Sequence, residues 1–511
     1  MRSIISAALG FALVSCGGGS ANWRDLAGKC ASPRSGIDPA TGNKYPDQQG
    51  SLNDEKMFLR SWTDDTYLWY SEVPAVDPSQ YNRPPTPLDG SGATDYFGQL
   101  KTRAKTASSS DKDRFHFWIP TAQWEAMSQS GVEVGYGITW VAFRTSPPRQ
   151  FVAGFIEPHS PADGNISRGL QIVSIDGVDF VNGTDLNALN AGLSPATEGE
   201  KHTFVMQAIG ASSQNPPVDL VAAAVTENPT PNVQVIDTGT GKVGYILFND
   251  HIATAEGALI QAINSLQTMA NPQPISDLIL DIRYNGGGYL AIASQLAYMI
   301  AGPAPTRGKT FEQLTFNDKH PDSDPITHQG LAPTPFLNQT IGLSVAAGSP
   351  LPTLNLTRVF VLTGSGTCSA SESVLNSLAG VDVQVIQIGG TTCGKPYGFY
   401  PEDNCGTTYF SIQFKGVNAK GFGDYADGFV PGGIGTGFLT GCQVSDDFSR
   451  ALGDQNEKRL AGALSYRASA TCPNPTVIPA LVFRGDSSGS GLTGEGRVLK
   501  SVWRQNRILG R

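Results

Sequence analysis

From Lys242 onward, apolar strand-like runs alternate with segments of helical periodicity, and this order more than any other feature limits what the chain can fold into. Val243 to Phe248 reads as a buried strand. Ala255 to Ala270 follows as a helix, with Leu259, Ile260, Ile263, Leu266 and Met269 on one face. Leu278 to Ile282 is a second strand, followed by Gly286-Gly287-Gly288 and a helix from Tyr289 to Ala301. Val359 to Leu362 then leads into helical Ala370 to Leu378, and Val383 to Ile388 is a further strand. Short apolar strands connected by helices predict a parallel or mixed sheet with helices packed on it.

Two short runs at the ends of these strands carry the chemistry. Thr367-Cys368-Ser369-Ala370-Ser371-Glu372 puts a serine at a strand-to-helix turn, where the helix's first amides point at it. Gly390-Thr391-Thr392-Cys393-Gly394-Lys395 supplies a lysine after the next strand. A serine and a lysine held neutral make a sufficient nucleophile and base for acyl transfer. Read blandly, the first run is a helix N-cap and the second a turn with a solvated lysine.

At 511 residues the chain has room for three domains of ordinary size. Asn53 to Tyr70 has helical spacing, and the Pro-rich stretch Arg83 to Pro87 interrupts it, so a small helical N-terminal domain is expected over 51–120. Residues 121–228 change to strands and turns, among them Gly135-Tyr136-Gly137-Ile138, Phe151 to Ile156 and Ile172 to Gly177. The α/β domain is expected over 229–470, with a Pro-rich insertion near 303–357 and a closing helix from Asp454 to Tyr466. Residues 471–511 form a tail that is Gly/Ser-rich from Gly485 to Gly496. A net charge of −9 without a basic run argues against nucleic acid as partner.

The first sixteen residues read as an address, with Arg2 at the start and a short apolar run from Ile4 to Val14. Leu13-Val14-Ser15-Cys16 resembles a bacterial lipoprotein signal, which implies lipid on Cys16 and export; 17–50 is then a tether and N-terminal segment, beginning Gly17-Gly18-Gly19-Ser20. The residue after Cys16 is not Asp, which in a Gram-negative host leans towards the outer membrane. Six cysteines remain, and an even number in an oxidising compartment suggests disulfides. Six allow fifteen pairings; Cys393–Cys405 and Cys442–Cys472 are the short-loop choices. No C-x-x-C or H-E-x-x-H occurs, so no metal is expected.

Residues 121–228 resemble a PDZ domain of the bacterial protease type, although Gly169-Leu170-Gln171 stands where Gly-Asp is usual. That likeness implies binding of peptide C-termini at Gly135, Gly137 and Ile138. Asp281 to Gly288, then Ser369 to Glu372, then Gly394-Lys395, with this domain before them, resemble the three signatures of the C-terminal processing (tail-specific) serine peptidases, serine peptidase family 41, over residues 50 to 470. Tyr67-Leu68-Trp69-Tyr70 and Asp424 to Phe429 are similar to its lipoprotein-type branch.

The resemblance implies α/β and α+β multidomain architecture with a crotonase-like ββα protease domain, polypeptide substrates and no cofactor. Ser369 is then the nucleophile and Lys395 the base, with Ala370 and either Gly287 or Gly288 as oxyanion donors. Asp281 and Arg283 are expected to hold their loop rather than react. The chain departs from the family in three places. Lys395 comes one residue later after Ser369 than is usual; Phe399 stands where some members have an orienting Gln; and Gly380, with Asp382 nearby, stands where others have Asp. The third member of the site stays open, with Glu372 as a structural candidate. Two decoys fail. Gly485-Asp486-Ser487-Ser488-Gly489 matches G-x-S-x-G, but a Gly/Ser-rich tail follows it where a helix is required. Glu372, three residues after Ser369, rules out the S-x-x-K of penicillin-binding enzymes. A catalytically silent, peptide-binding scaffold on the same fold is the rival reading.

Overall fold

The computed structural model describes residues 22–39, 41–86, 90–433, 435, 437–472, 496–499 and 507–508. The expected signal peptide, Cys16 and the Gly485–Gly489 decoy lie outside them.

The N-terminal part is built on α1 (Leu52–Thr66) and α2 (Gly92–Phe97). Ser51 and Asp54 cap α1 reciprocally through side chain and backbone, which fixes its start. The helix stops at Thr66, short of the expected Tyr70, because Tyr67 turns extended and its aromatic neighbours leave the helical path. Phe58, Trp62 and Phe97 stack in a core that also takes in Tyr409. Strand β1 (Phe117–Pro120) follows.

A β-rich domain comes next, with β2 (Val132–Gly135), β3 (Ile138–Arg144), β4 (Gln150–Ile156), β5 (Leu170–Ile175), α3 (Leu186–Leu193), β6 (Lys201–Ala208), β7 (Val218–Val221) and β8 (Ala223–Thr226). Its antiparallel sheet runs β7-β6-β5-β4-β3, with β2 and β8 paired apart.

The α/β domain comprises β9 (Asn232–Asp237), β10 (Lys242–Leu247), α4 (Ala255–Ala270), β11 (Asp277–Asp281), β12 (Gly288–Tyr289), α5 (Leu290–Ala301), β13 (Arg358–Thr363), α6 (Ala370–Gly380), β14 (Gln384–Gly389), β15 (Tyr397–Gly398), β16 (Thr407–Phe410), β17 (Gly441–Gln443) and α7 (Lys458–Ser469). Its six-stranded sheet has the order β9-β10-β11-β13-β14-β17, antiparallel at β9 and parallel thereafter. The central strands are buried on both faces, as the continuous apolar runs require. Helix α4 buries Leu259, Ile263 and Leu266 as expected, but Met269 turns to solvent and Ala262 and Ala270 complete the face. The closing helix begins at Lys458, four residues after the expected Asp454.

Two further strands are found among the described residues beyond 472. β18 (Arg497–Leu499) adds to the β3 edge, and β19 (Arg507–Ile508) pairs with β12. The disulfides are Cys30–Cys405, Cys368–Cys393 and Cys442–Cys472. The expected Cys393–Cys405 pair is therefore wrong. β1 pairs with β16, which places Cys405 against the N-terminal segment, while Cys393 returns to the serine turn.

One buried charge cluster joins the domains. Arg283 donates to both oxygens of Asp281 and of Glu457, and also to Asp446. Arg168, from the β-rich domain, donates to Asp446 and to the Tyr284 hydroxyl, each at 2.6 Å. Burial alone would raise the Asp446 carboxyl, but Arg168 and Arg283 hold it well below the usual range. Asp281 and Arg283 thus fix the loop after β11, as expected. We predict that Arg283→Leu, which strands Asp281 and Glu457 without their cation, lowers stability by about 3–5 kcal/mol in urea unfolding.

Candidate active site

Parallel register brings the strand ends to one edge. Leu247 pairs with Asp281, Asp281 with Leu362 and Leu362 with Ile388, so the loops after β11, β13 and β14 all leave the sheet side by side. Open parallel sheets place their sites at this carboxyl edge.

Asn285 joins the glycine loop to the serine turn. Its Oδ1 accepts from Gly287 N–H (3.0 Å) and Ser371 Oγ (2.9 Å), and its carbonyl accepts from Cys368 N–H (3.1 Å). His251 Nδ1 lies 2.9 Å from the same Oδ1. Gly288 has φ +135°, and a Cβ there would sit 2.5 Å from the His251 carbonyl oxygen, so this close approach admits only glycine.

Ser369 follows β13 and heads α6 with φ +62°, a left-handed backbone for a residue with a side chain. Its side chain is fully buried and Oγ makes no hydrogen bond. The amide of Ala370 opens α6, where no intrahelical carbonyl can reach it. Glu372, one turn in, binds back. Its Oε2 accepts from Ser369 N–H (2.9 Å) and Lys395 N–H (2.8 Å), and its Oε1 from Gly394 N–H (2.8 Å) and Thr392 Oγ1 (2.6 Å). Burial pushes the Glu372 carboxyl up, and these donors pull it only part of the way back. The Cys368–Cys393 disulfide ties the same two segments covalently, with Cα atoms 5.1 Å apart.

Lys395 is fully buried, and Nζ lies 4.7 Å from the Phe115 ring centroid and 4.6 Å from that of Phe399. Burial lowers its pKa to about 7, against the opposing pull of Asp113 and Glu372. Asp113 is itself buried and accepts from the Tyr67 hydroxyl (2.6 Å) and Phe115 N–H (2.9 Å). A lysine in this state is partly neutral near pH 7 and can accept a proton. The Cys368, Glu372 and Cys393 ligand atoms also cluster, but both sulfurs are held in the disulfide and offer no thiolate.

Ser369, Ala370 and Lys395 therefore meet through Glu372, and Gly287 and Gly288 join them through Asn285. Gly287 corrects the expectation in one respect: its amide is spent on Asn285, which leaves Gly288 and Ala370 as the candidate donors. Gly135, Gly137 and Ile138 lie in the β-rich domain. Gly135 ends β2, Ile138 opens β3, and Gly137 has φ +74° where a Cβ would meet Ser160. Phe399 lines the lysine pocket, while Asp382 is exposed and pairs with Lys420. Sequence reasoning missed Asp113, Phe115 and Asn285. Asn285 stood inside the quoted Asp281–Gly288 motif, but nothing in the sequence tied Asp113 or Phe115 to Lys395.

The fold is that of a structure from Bacteroides fragilis described as an S41 protease: the two are 20% identical, the alignment covers 84% of this chain and 100% of the other, and the TM-score is 0.58. The photosystem II D1 C-terminal processing protease is 19% identical over 82% of this chain and 97% of its own, with a TM-score of 0.44. No curated protein sequence matches the chain. Residues 242–398 match the profile of Peptidase family S41.

The lysine environment yields a pH prediction. Neutral Lys395 increases as pH rises through about 7, so kcat/KM should climb along an acid limb near that value. Asp113→Asn removes an attraction that favours the ammonium, so the limb should move to lower pH in a pH–rate profile; a limb that stays put would show that Asp113 does not act on Lys395.

Proposed function

We propose that the protein is an exported, membrane-tethered serine endopeptidase that cleaves polypeptides near C-termini or in unstructured segments through a Ser369–Lys395 dyad. The observation that carries this reading is the lysine held near neutrality in an apolar pocket, its backbone fastened to the serine turn by one carboxylate.

In the reaction, neutral Lys395 Nζ takes the Ser369 Oγ proton as the oxygen attacks the scissile carbonyl. The oxyanion of the tetrahedral intermediate is met by the Ala370 and Gly288 amides; donors of this kind are worth about 3–4 kcal/mol each. The Lys395 ammonium then protonates the departing amine, leaving an acyl-enzyme on Ser369. A water, deprotonated by the regenerated neutral Lys395, then attacks the acyl carbon and releases the acyl group from Ser369 Oγ. Glu372 and Asn285 position the loops without touching the reacting atoms.

The antiparallel sheet of the β-rich domain, with the Gly135–Gly137 loop before β3, whose outer side already accepts β18 as an added strand, suits the PDZ-like role of holding a peptide in the same way. Lipid attachment at Cys16 and export are supported by the signal sequence and by three disulfides, which persist in oxidising compartments. The unpartnered Ser369 Oγ favours the rival reading of a silent peptide-binding scaffold. Ser369→Ala and Lys395→Ala are each expected to lower cleavage of an unfolded protein by about a thousandfold or more, with the fold intact by circular dichroism. A serine-directed phosphonate should label Ser369 in the unmutated chain. Full activity in either variant would refute the dyad, and failure to label would favour the scaffold.

A further inference from the structure

The last described residues of the chain lie against β3 and beside the glycine and lysine loops. β18 runs antiparallel to the edge strand β3, with Arg497 opposite Ala142 and Leu499 opposite Trp140, heading towards the Gly135–Gly137 loop. β19 then lies parallel to β12, with Arg507 opposite Gly288 and Ile508 opposite Tyr289. It also lies beside β15, two residues after Lys395. The tail therefore covers the β-rich domain's free edge and enters the cleft between the glycine loop and the lysine loop.

Its seat is fitted rather than incidental. Val498 is 4% exposed, packed among Val141, Val152, Tyr284 and Phe448, and a Cβ on Gly366 in the serine turn would fall 2.5 Å from it. The Gly496 carbonyl accepts from Ser365 Oγ at 2.7 Å, and a side chain at Gly496 would strike Val141 and Phe143. Residues 497–511 carry Arg497, Lys500, Arg504, Arg507 and Arg511 with no acid, in a chain of net charge −9. Ser369 and Lys395 are both without exposed surface in this arrangement.

We propose that the C-terminal tail is an intramolecular ligand of the peptide-binding path, seated by strand addition on β3 and in the cleft beside Gly288, and that it must leave before another polypeptide can enter. The inference rests on the peptidase reading for its kinetic consequence but not for the binding itself. A tail attached in cis competes at an effective concentration that a free peptide meets only at about millimolar levels.

The experiment uses the full chain with Val498→Asp, which places a carboxylate in the apolar seat. With an unfolded casein as substrate, KM should fall about tenfold with kcat within about twofold. A second arm needs no catalysis. In the Ser369→Ala background, a fluorescent synthetic peptide of residues 496–511 should bind the Val498→Asp chain at least about tenfold more tightly than the chain with its own tail intact, by anisotropy. Arg507→Pro with Ile508→Pro, which removes both backbone donors of β19, replaces Val498→Asp if that variant fails to fold. Unchanged KM and unchanged peptide binding in folded variants would overturn the proposal, as would loss of activity with lowered thermal stability, which marks β18 as a fixed part of the sheet. Peptide binding that responds as expected in a chain without hydrolysis would leave this inference standing and refute the peptidase reading instead.

Discussion

The carboxylate of Glu372 is the constraint on which the site depends. A buried carboxylate is costly unless its lone pairs are filled. Here four donors fill them, drawn from the serine turn and from the loop that ends in Lys395. Because Oε2 is shared by the amides of Ser369 and Lys395, their backbones cannot separate without uncovering the charge. The disulfide at Cys368 and Cys393 repeats the tie. Such over-determination is what lets Ser369 keep its left-handed backbone, a conformation that costs about 1–3 kcal/mol on its own.

The sheet and the N-terminal segment divide the work. Parallel strands place the serine, the glycine loop and the lysine loop, since their ends share one edge. The chemical character of the lysine comes from elsewhere, because Phe115 and Asp113 belong to the segment around β1, folded over the pocket by the β1–β16 pairing. One element sets where the amine is and another sets whether it carries a proton.

This division explains what the sequence disclosed. Ser369, Lys395 and the Asp281–Gly288 loop were legible because each sits at the end of an apolar strand, and strand-then-turn is a local pattern. The alternation of strands and helices was legible for the same reason. The lysine pocket was not, since Phe115 lies far from Lys395 along the chain and nothing local marks it. The Cys393–Cys405 expectation failed similarly: short loops favour close pairs, but the β1–β16 ladder carried Cys405 to Cys30. Nor could periodicity tell that Gly287 would spend its amide on Asn285, or that residues 497–499 would find a partner strand in another domain.

The bridge between Cys30 and Cys405 joins residues 375 positions apart. It turns most of the polypeptide into a covalent ring that takes in the β-rich domain, the glycine loop, Ser369 and Lys395. A single backbone cut anywhere within that ring leaves one connected molecule, its ends still held by a covalent disulfide rather than by packing alone. A chain bridged in this way survives a nick that would split an unbridged one in two.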